Sequence, residues 1–524
     1  MSKNLFQLIK KLSPNEKGYF KKVSRIHSLN GKDTAYIRLF DILDKQEQYD
    51  KKEVDAYFGN KKIIGQLPVI SNYLYYLILD TLEEFNSGKS TESRLKKSIA
   101  NAEQLYIKGL YEQARTLIDK AKEKAEQSEN FLLILQIYAF EGKLSLLEQN
   151  IGNLKKFGDA LNESRKQVIE KFKNYSDYRQ LVSQMFYISK STGRHLKTEK
   201  DQAAFEKIMQ HPLLSNRKQA QSISALYNYL LIHSYYHDIK KERDITTSIK
   251  FNMERLQLLE ANRQYASHSP VLYISVLHNL LLNAGEIFDL DLFKFLLEKV
   301  KNANEFLEIK PEPEVESFRN LTFIKYNIFQ SFISGDFQQG IDFIKGNEQT
   351  YYELHQNRGE EETLVFCLNL FHLYFGVGDF KQALNWVNKF IQTEQQTLRL
   401  DLWINVNWVN ILIQVELENF EFATSLIRSF IRFLNKHPKE FAFENQFVKV
   451  LRSYIEYALN DKETERFTKM KEMKKLLNEN NQVGVISDVD YTLLVPWVKS
   501  KVEGHTFTEM YKKCIKDFKK RVNV

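Results

Sequence analysis

The sequence contains few of the residues that interrupt helices. Its 524 residues include 19 glycines and 8 prolines, less than half the usual share of these two residue types. Sheets and long loops use both residues in their turns, whereas helices need few of them. The composition therefore predicts an all-α protein. Because the chain is too long for one ordinary core, we expect several domains or one extended array.

Cysteines are equally scarce. Cys367 and Cys514 are the only two, and they provide neither a disulfide framework nor a metal-ligand spacing. Cys367 lies on an apolar helix, so we expect it to be buried and unreactive. The sequence predicts no bound metal or other cofactor.

Long apolar runs are also missing. The most apolar stretches, 271–288 and 402–418, contain His, Asn or Glu, so they predict buried core helices rather than membrane spans. The start of the chain, MSKNLFQLIKKLSPNEK, has no apolar segment before a cleavage site, which argues against an export signal. We expect a cytoplasmic protein that does not enter a membrane.

Positive charge is concentrated at the start of the chain. Residues 1–40 hold nine Lys or Arg against two acids, Glu16 and Asp33, and the whole chain has a formal net charge of +8. The stretch LSPNEK supplies a Ser N-cap, a Pro at the first helical position and then Glu. We predict a small, basic helical module over residues 1–90. Such a module could contact nucleic acid or an acidic partner, and a solvated helix face is the simpler interpretation.

A recurring pattern begins at KGLYEQARTLIDKA, residues 108–121. Gly109 is followed two positions later by Tyr111 and then by Ala114, with larger apolar residues at helical spacing. The glycine is expected to end one helix in a tight turn. The aromatic residue would pack back over that turn, and the small residue would let two helices approach closely. The pattern returns with Gly335, Phe337 and Gly340, with Gly378, Phe380 and Ala383, and with Glu418, Phe420 and Ala423.

These motifs resemble tetratricopeptide repeats, which are helical hairpins with a Gly-x-aromatic-x-x-Ala signature. The resemblance is good at 102–125 and 366–390 and weaker at 326–347 and 406–430. It implies an α-α superhelix, a TPR-like array of helical hairpins, over residues 91–480, followed by capping helices at 481–524. The resemblance also implies binding of another protein or peptide in a concave groove. From a degenerate copy at Phe293 to Gly340, Ala383 and Ala423 the spacings are 47, 43 and 40 residues, rather than the 34 of that family, which implies longer helices or inserted turns.

The first helix of each hairpin would line the groove. Lys325 and Asn369 match two positions of the clamp with which some family members hold a terminal carboxylate, and the other basic clamp positions are not matched. A mixed aromatic and amide groove suits an extended or helical peptide, and ordinary packing between hairpins is the competing interpretation. The residues predicted to face the groove are Lys325, Tyr326, Asn369, His372, Asn405 and Trp408.

Catalytic patterns are weak. Asp488-x-Asp490-x-Thr492 is similar to the nucleophile motif of haloacid-dehalogenase-type phosphatases. Only 32 residues follow Thr492, which is too few for the rest of that fold, so helix capping is the favoured interpretation. His233 and His237 share a helix face at a spacing that suits zinc, but no third ligand lies nearby in the sequence.

We therefore predict a non-enzymatic protein-binding scaffold or adaptor. The alternative is a regulator in which the basic N-terminal module binds nucleic acid while the repeats sense a peptide or protein. A hydrolase built on Asp488 and Asp490 is the third hypothesis.

Overall fold

A computed structural model of the chain describes most of its residues. The described ranges are 2–26, 34–86, 88, 90–147, 151–192, 199–240, 243–347, 350, 360–393, 400–435, 441–482 and 488–522. These ranges consist of α-helices, two short 3₁₀ turns and connections, with no strand among them. The predicted all-α fold is confirmed.

The chain divides into two compact units, Met1–Glu170 and Lys171–Val524. The predicted boundaries at residues 90 and 480 fall inside these units. The division itself lies within a single 42-residue helix, α9. The helices up to and including α9, which contributes residues to both units, are α1 Ser2–Lys11, α2 Pro14–Ile26, α3 Ala35–Lys45, α4 Lys51–Phe58, α5 Lys61–Asn86, α6 Thr91–Ile107, α7 Tyr111–Gln127, α8 Phe131–Ser145 and α9 Ile151–Thr192.

The second unit continues from α9 as a succession of helices that pack mainly on their neighbours in sequence. They are α10 Glu199–Met209, α11 Ile223–Ile239, α12 Ile245–Ala261, α13 Arg263–His268, α14 Pro270–Glu286, α15 Leu290–Lys301, α16 Ala303–Leu307, α17 Pro313–Ser334, α18 Phe337–Lys345, α19 Glu360–Gly376, α20 Phe380–Thr393, α21 Leu400–Glu416, α22 Phe420–Leu434, α23 Ala442–Leu459, α24 Glu463–Gln482, α25 Asp488–Glu503 and α26 Phe507–Val522.

Helix starts follow the predicted capping chemistry. α2 begins at Pro14, and the hydroxyl of Ser13 accepts a hydrogen bond from the Glu16 amide at 3.3 Å. The Glu16 carboxylate accepts in return from the Ser13 amide at 2.8 Å. This reciprocal pair satisfies two amides that a helix start otherwise leaves without partners.

Five turns in the described part of the second unit share one backbone geometry. In each turn one residue adopts a left-handed conformation, and the next helix begins two residues later. In four of the turns the following amide donates to the carbonyl five residues earlier, as Asp379 does to Tyr374 at 3.0 Å. This bond is characteristic of a helix that ends in a left-handed residue. The left-handed residues are Phe288, Gly335, Gly378, Glu418 and Asp461.

Aromatic residues bridge several of these turns. The Phe337 ring packs edge-on against Phe332 with ring centroids 5.9 Å apart, and Phe380 packs in the same way against Phe375 at 5.4 Å. In the first unit, Tyr111 packs against Tyr106 across the turn at Gly109, whose φ is +78°. Each pair joins residues five positions apart, one on either side of the turn. The small residues at the predicted close contacts are fully buried: Ala114, Ala383 and Ala423.

The C-terminal helices α25 and α26 pack against earlier hairpins of the second unit. Trp497 Nε1 on α25 donates to Glu416 Oε1 at 2.7 Å. The Thr508 hydroxyl on α26 donates to the Gly376 carbonyl at 2.7 Å, and the Tyr511 ring lies 4.9 Å from that of Phe337. These helices follow α24 in the chain, and they also cover the turns around α18 and α19.

In the described part of the chain, every helix is too short or too polar to span a bilayer.

Candidate functional site

The six residues predicted to face a groove lie in pairs on α17, α19 and α21. Tyr326 is 1% exposed, and its hydroxyl donates to the His278 carbonyl at 3.1 Å. Trp408 is fully buried, and the rings of Phe430 and Phe447 pack edge-on against its indole, each at an interplanar angle of 84°. The prediction that Tyr326 and Trp408 face a groove is therefore wrong, because both side chains are core residues.

The other four predicted groove residues differ in exposure. Asn405 is buried, and its Oδ1 has no hydrogen-bond partner. Lys325, Asn369 and His372 are only partly buried. The Lys325 ammonium lies 5.8 Å from the centre of the Tyr326 ring. Lys325, Asn369 and His372 remain predicted partner contacts, whereas Asn405 is 6% exposed and offers little surface to a partner.

His372 is held in one neutral form. Its Nδ1 lies 2.7 Å from the Leu368 carbonyl, and because a carbonyl only accepts, this nitrogen carries the proton. Burial lowers the pKa of His372 to about 4. At neutral pH the ring is therefore uncharged, with Nε2 as an acceptor.

The weak catalytic patterns gain no support from the geometry. His233 packs against the rings of Tyr229 and Phe251, and burial lowers the pKa of both His233 and His237. Among the described residues, no three His, Cys, Asp or Glu side chains come together in a way that could hold a metal ion. Asp488 and Asp490 lie in the first turn of α25, and their side chains lie outside the described part.

Cys367 is fully buried, as predicted. Burial raises the pKa of its thiol to about 11. The reactive thiolate is therefore scarce at neutral pH.

A polar network inside the second unit was not predicted. It joins α11, α12 and α14, and it starts at Arg255, which is 1% exposed. The Arg255 guanidinium donates to Asn252 Oδ1 and to the Tyr227 hydroxyl, both at 2.6 Å, and lies 4.4 Å from the Tyr227 ring centre. Its Nε has no partner. A buried cation thus rests on neutral acceptors, an arrangement that is costly unless every bond is well formed.

Asparagine side chains extend this network towards a carboxylate. Asn252 Nδ2 donates to Asn283 Oδ1 at 3.0 Å, and Asn283 Nδ2 lies 3.4 Å from Asp238 Oδ1. Asn252 and Asn283 are 3% and 4% exposed. Buried amides with both ends engaged are fixed in orientation, so the position of Asp238 is coupled to that of Arg255.

Asp238 belongs to an ion-pair triad at the end of α11. Arg243 Nη2 donates to Asp238 Oδ1 at 3.0 Å and also to Glu286 on α14. Arg243 Nε donates to the Asp238 carbonyl at 2.7 Å. Burial alone would lower the pKa of Arg243, but Glu286 and Asp238 more than offset it and raise that pKa. The guanidinium is therefore permanently charged.

A cavity of about 170 Å³ lies beside this network. Its buried lining residues are Ser234, Ser248, Asn252 and Asn283, and its partly exposed ones are Tyr235, Asp238, Asn279 and Leu282, with buried Ile239 completing the lining. The partly exposed residues mark the side that faces solvent. Buried, hydrogen-bonded polar groups surround a space with room for more than one water molecule, so this cavity is a candidate site for a small ligand.

One sequence signal could have indicated this site. Ser248, Asn252 and Arg255 follow each other at intervals of four and three on α12 and therefore share a face. All three are buried, whereas an amphipathic helix would carry apolar residues on its buried face.

Comparison with known proteins gives no further assignment, since the chain matches no protein-family model, no curated protein and no solved structure.

Proposed function

We propose that this protein is a non-enzymatic scaffold or adaptor that binds another protein through a TPR-like array of helical hairpins. The observation that carries the proposal is the turn geometry repeated at Phe288, Gly335, Gly378, Glu418 and Asp461. Hairpins that pack mainly on their sequence neighbours form extended arrays, and such arrays serve as binding surfaces for other proteins.

The partner surface is assigned to the first helices of successive hairpins. Lys325 on α17 and Asn369 on α19 are the partly exposed polar residues that the resemblance places there. An amide and an ammonium can bond to the carbonyl groups of a peptide, or to its carboxylates. Tyr326 and Trp408 contribute only by supporting these helices from the core.

The test is affinity purification of the tagged full-length chain from its native host after chemical cross-linking, with mass spectrometry. The surface variant combines Lys325→Ala with Asn369→Ala. The matched control combines Lys381→Ala with Asn385→Ala, which removes the same two residue types from exposed positions on the second helix α20.

We expect the control to retain the partner that the wild type captures. The surface variant should lose about tenfold in affinity, which corresponds to about 1.4 kcal/mol. Equal recovery by the two double variants, or no partner enriched over a tag-only sample, would count against the proposal.

The alternative is a regulator whose N-terminal module binds nucleic acid. This module presents less basic surface than its sequence suggests. Lys17 pairs with Asp44 and Lys21 with Asp41, both at 2.7 Å. Acidic residues of α3 thus offset part of the charge on α2. If the regulator hypothesis were right, the full-length chain would bind DNA or RNA with an affinity that falls steeply with salt.

A further inference from the structure

We propose that the cavity between α11, α12 and α14 binds a primary alkylammonium group, as found on a small aliphatic amine or on a lysine side chain. This inference does not depend on the scaffold proposal, because it concerns a built cavity rather than the partly exposed faces of α17 and α19. Several atoms at the cavity remain able to accept hydrogen bonds.

The cavity presents acceptors more than donors. The side-chain contacts of Asp238 with described residues use Oδ1, so Oδ2 keeps its capacity to accept hydrogen bonds, and Asp238 is one of the residues that line the cavity. The Ser234 hydroxyl donates its proton to the Leu231 carbonyl at 3.0 Å and keeps its lone pairs. Asn279 also lines the cavity, and its amide makes no hydrogen bond with another described residue. An ammonium has three donors and no acceptor, which matches this set.

Among the described residues that line the cavity, Asp238 is the one charged side chain, and its carboxylate favours a cation in direct contact. Arg243 lies between Asp238 and Glu286, and together with Arg255 these four groups carry no net charge. The other nearby guanidinium, Arg255, is absent from the cavity wall and is held against Tyr227 and Asn252. A carboxylate or phosphate ligand would instead meet Asp238 with like charge.

The same atoms make a poor site for Ca²⁺. Ca²⁺ takes six to eight oxygen ligands, with carboxylates prominent among them. Asp238 is the only carboxylate among the described residues that line the cavity. One carboxylate with hydroxyl and amide oxygens is enough for an ammonium, whose three bonds need only three acceptors.

The size and the remaining walls suit a short alkyl chain. A volume of about 170 Å³ is well above the roughly 10–15 Å³ that a single bound water requires on this measure, so the cavity has room for a short alkyl chain. Leu282 and Ile239 provide apolar contact, and Tyr235 adds an aromatic ring that can attract a cation. The buried amides of Asn252 and Asn283 fix the polar side of the site before any ligand arrives.

The experiment is calorimetric titration of the full-length protein with n-butylammonium, with butyrate as a probe of the same length and opposite charge. We expect saturable binding of butylammonium and none of butyrate. A second titration with Nα-acetyl-lysine methylamide tests the lysine side chain as the source of the ammonium. Binding of either amine supports the site. Binding of neither, or equal binding of butyrate, overturns it.

Two variants locate the binding in this cavity. Asp238→Asn keeps the shape and an oxygen for Arg243 but removes the negative charge, and we expect it to weaken butylammonium binding by about tenfold or more. Asp291→Asn is the matched control, since it removes one carboxylate from an exposed position on α15, and it should bind as the wild type does. If Asp238→Asn fails to fold, Asn279→Leu is the deciding variant, because it removes a hydrogen-bonding group from the cavity wall at nearly constant size and leaves the network intact. Undiminished binding in the folded variant would refute the assignment.

Discussion

Gly376 ends α19 against the ring of Phe337. A Cβ atom at position 376 would lie 2.4 Å from two atoms of that ring. The ring has little room to withdraw, because Phe337 is 3% exposed and is surrounded by Phe332, Phe507 and Tyr511. The close approach of two hairpins at this point therefore requires glycine.

We predict that Gly376→Ala lowers the free energy of unfolding by about 1–3 kcal/mol, the usual cost of overpacking a core. Urea denaturation of the wild type and the variant measures the change. Adding Phe337→Leu should recover part of the loss, since the smaller side chain makes room for the new methyl group. Strictly additive effects of the two substitutions would contradict this explanation.

His372 gives a second prediction at the level of a single side chain. Its pKa is about 4 in the folded protein, against about 6.5 in an unfolded chain. Between these values the unfolded state binds a proton that the folded state does not. The free energy of unfolding should therefore fall as the pH drops from about 6.5 to about 4.

We expect His372→Gln to flatten this pH dependence, which thermal unfolding across that pH range would measure. Part of the pH dependence of stability should remain in this variant, because burial also lowers the pKa values of His233 and His237. The control His505→Gln changes an exposed histidine. An unchanged slope in His372→Gln would show that the ring is not held neutral by burial.

At the level of elements, the hairpin turn is the unit that recurs. Glu418 occupies the position where Gly335 and Gly378 stand in other turns, and its φ is +59°. Side chains with a Cβ adopt this left-handed conformation at a cost that glycine avoids.

We predict that Glu418→Gly raises the free energy of unfolding by roughly 0.5–1 kcal/mol, after the greater flexibility of glycine in the unfolded chain is subtracted. Gly378→Ala should lower the free energy of unfolding. No described atom lies within 4 Å of the added Cβ, so the loss comes from backbone strain alone. Chemical denaturation of both variants tests the pair. Destabilisation by Glu418→Gly would mean that the carboxylate stabilises the turn by other means.

The elements themselves were largely predictable from the sequence, because helix composition, caps and turn glycines are local features. The turns at Gly109, Gly335 and Gly378 follow from such signals, whereas the equivalent turn at Asp461 carries neither a glycine nor the aromatic residue. Local patterns also do not indicate which side of a uniformly apolar helix is open. For this reason Trp408 was assigned to a groove and lies in the core.

The polar cavity could not be predicted for a different reason. Asp238, Asn252 and Asn283 are up to 45 positions apart, and their hydrogen bonds depend on how α11, α12 and α14 pack. Each of these residues alone is compatible with an exposed helix position. Only the packing of three helices makes them one network.

At the level of the whole molecule, Glu416 connects distant parts of the second unit. Its carboxylate accepts from Trp497 Nε1 at 2.7 Å and from Lys501 Nζ at 2.8 Å. It thereby ties α25 to the end of α21 across more than eighty positions. Trp497 is 1% exposed, so its indole N–H cannot turn to water instead.

We predict that Glu416→Ala lowers the free energy of unfolding by about 1.5–3 kcal/mol, the range for hydrogen bonds to a charged group. It should also accelerate proteolysis of α25 and α26, measured by limited digestion. Glu421→Ala, at an exposed position on α22, should stay within about 0.5 kcal/mol of the wild type. Equal protease resistance in both variants would contradict a stabilising role for Glu416.

The division of the chain at residue 170 has a spectroscopic consequence. All four tryptophans, Trp386, Trp403, Trp408 and Trp497, belong to the second unit. Indole emission therefore reports only on that unit, while far-ultraviolet circular dichroism reports on the helices of both. Recording the two signals in one denaturation experiment would separate the unfolding of the units without any introduced label.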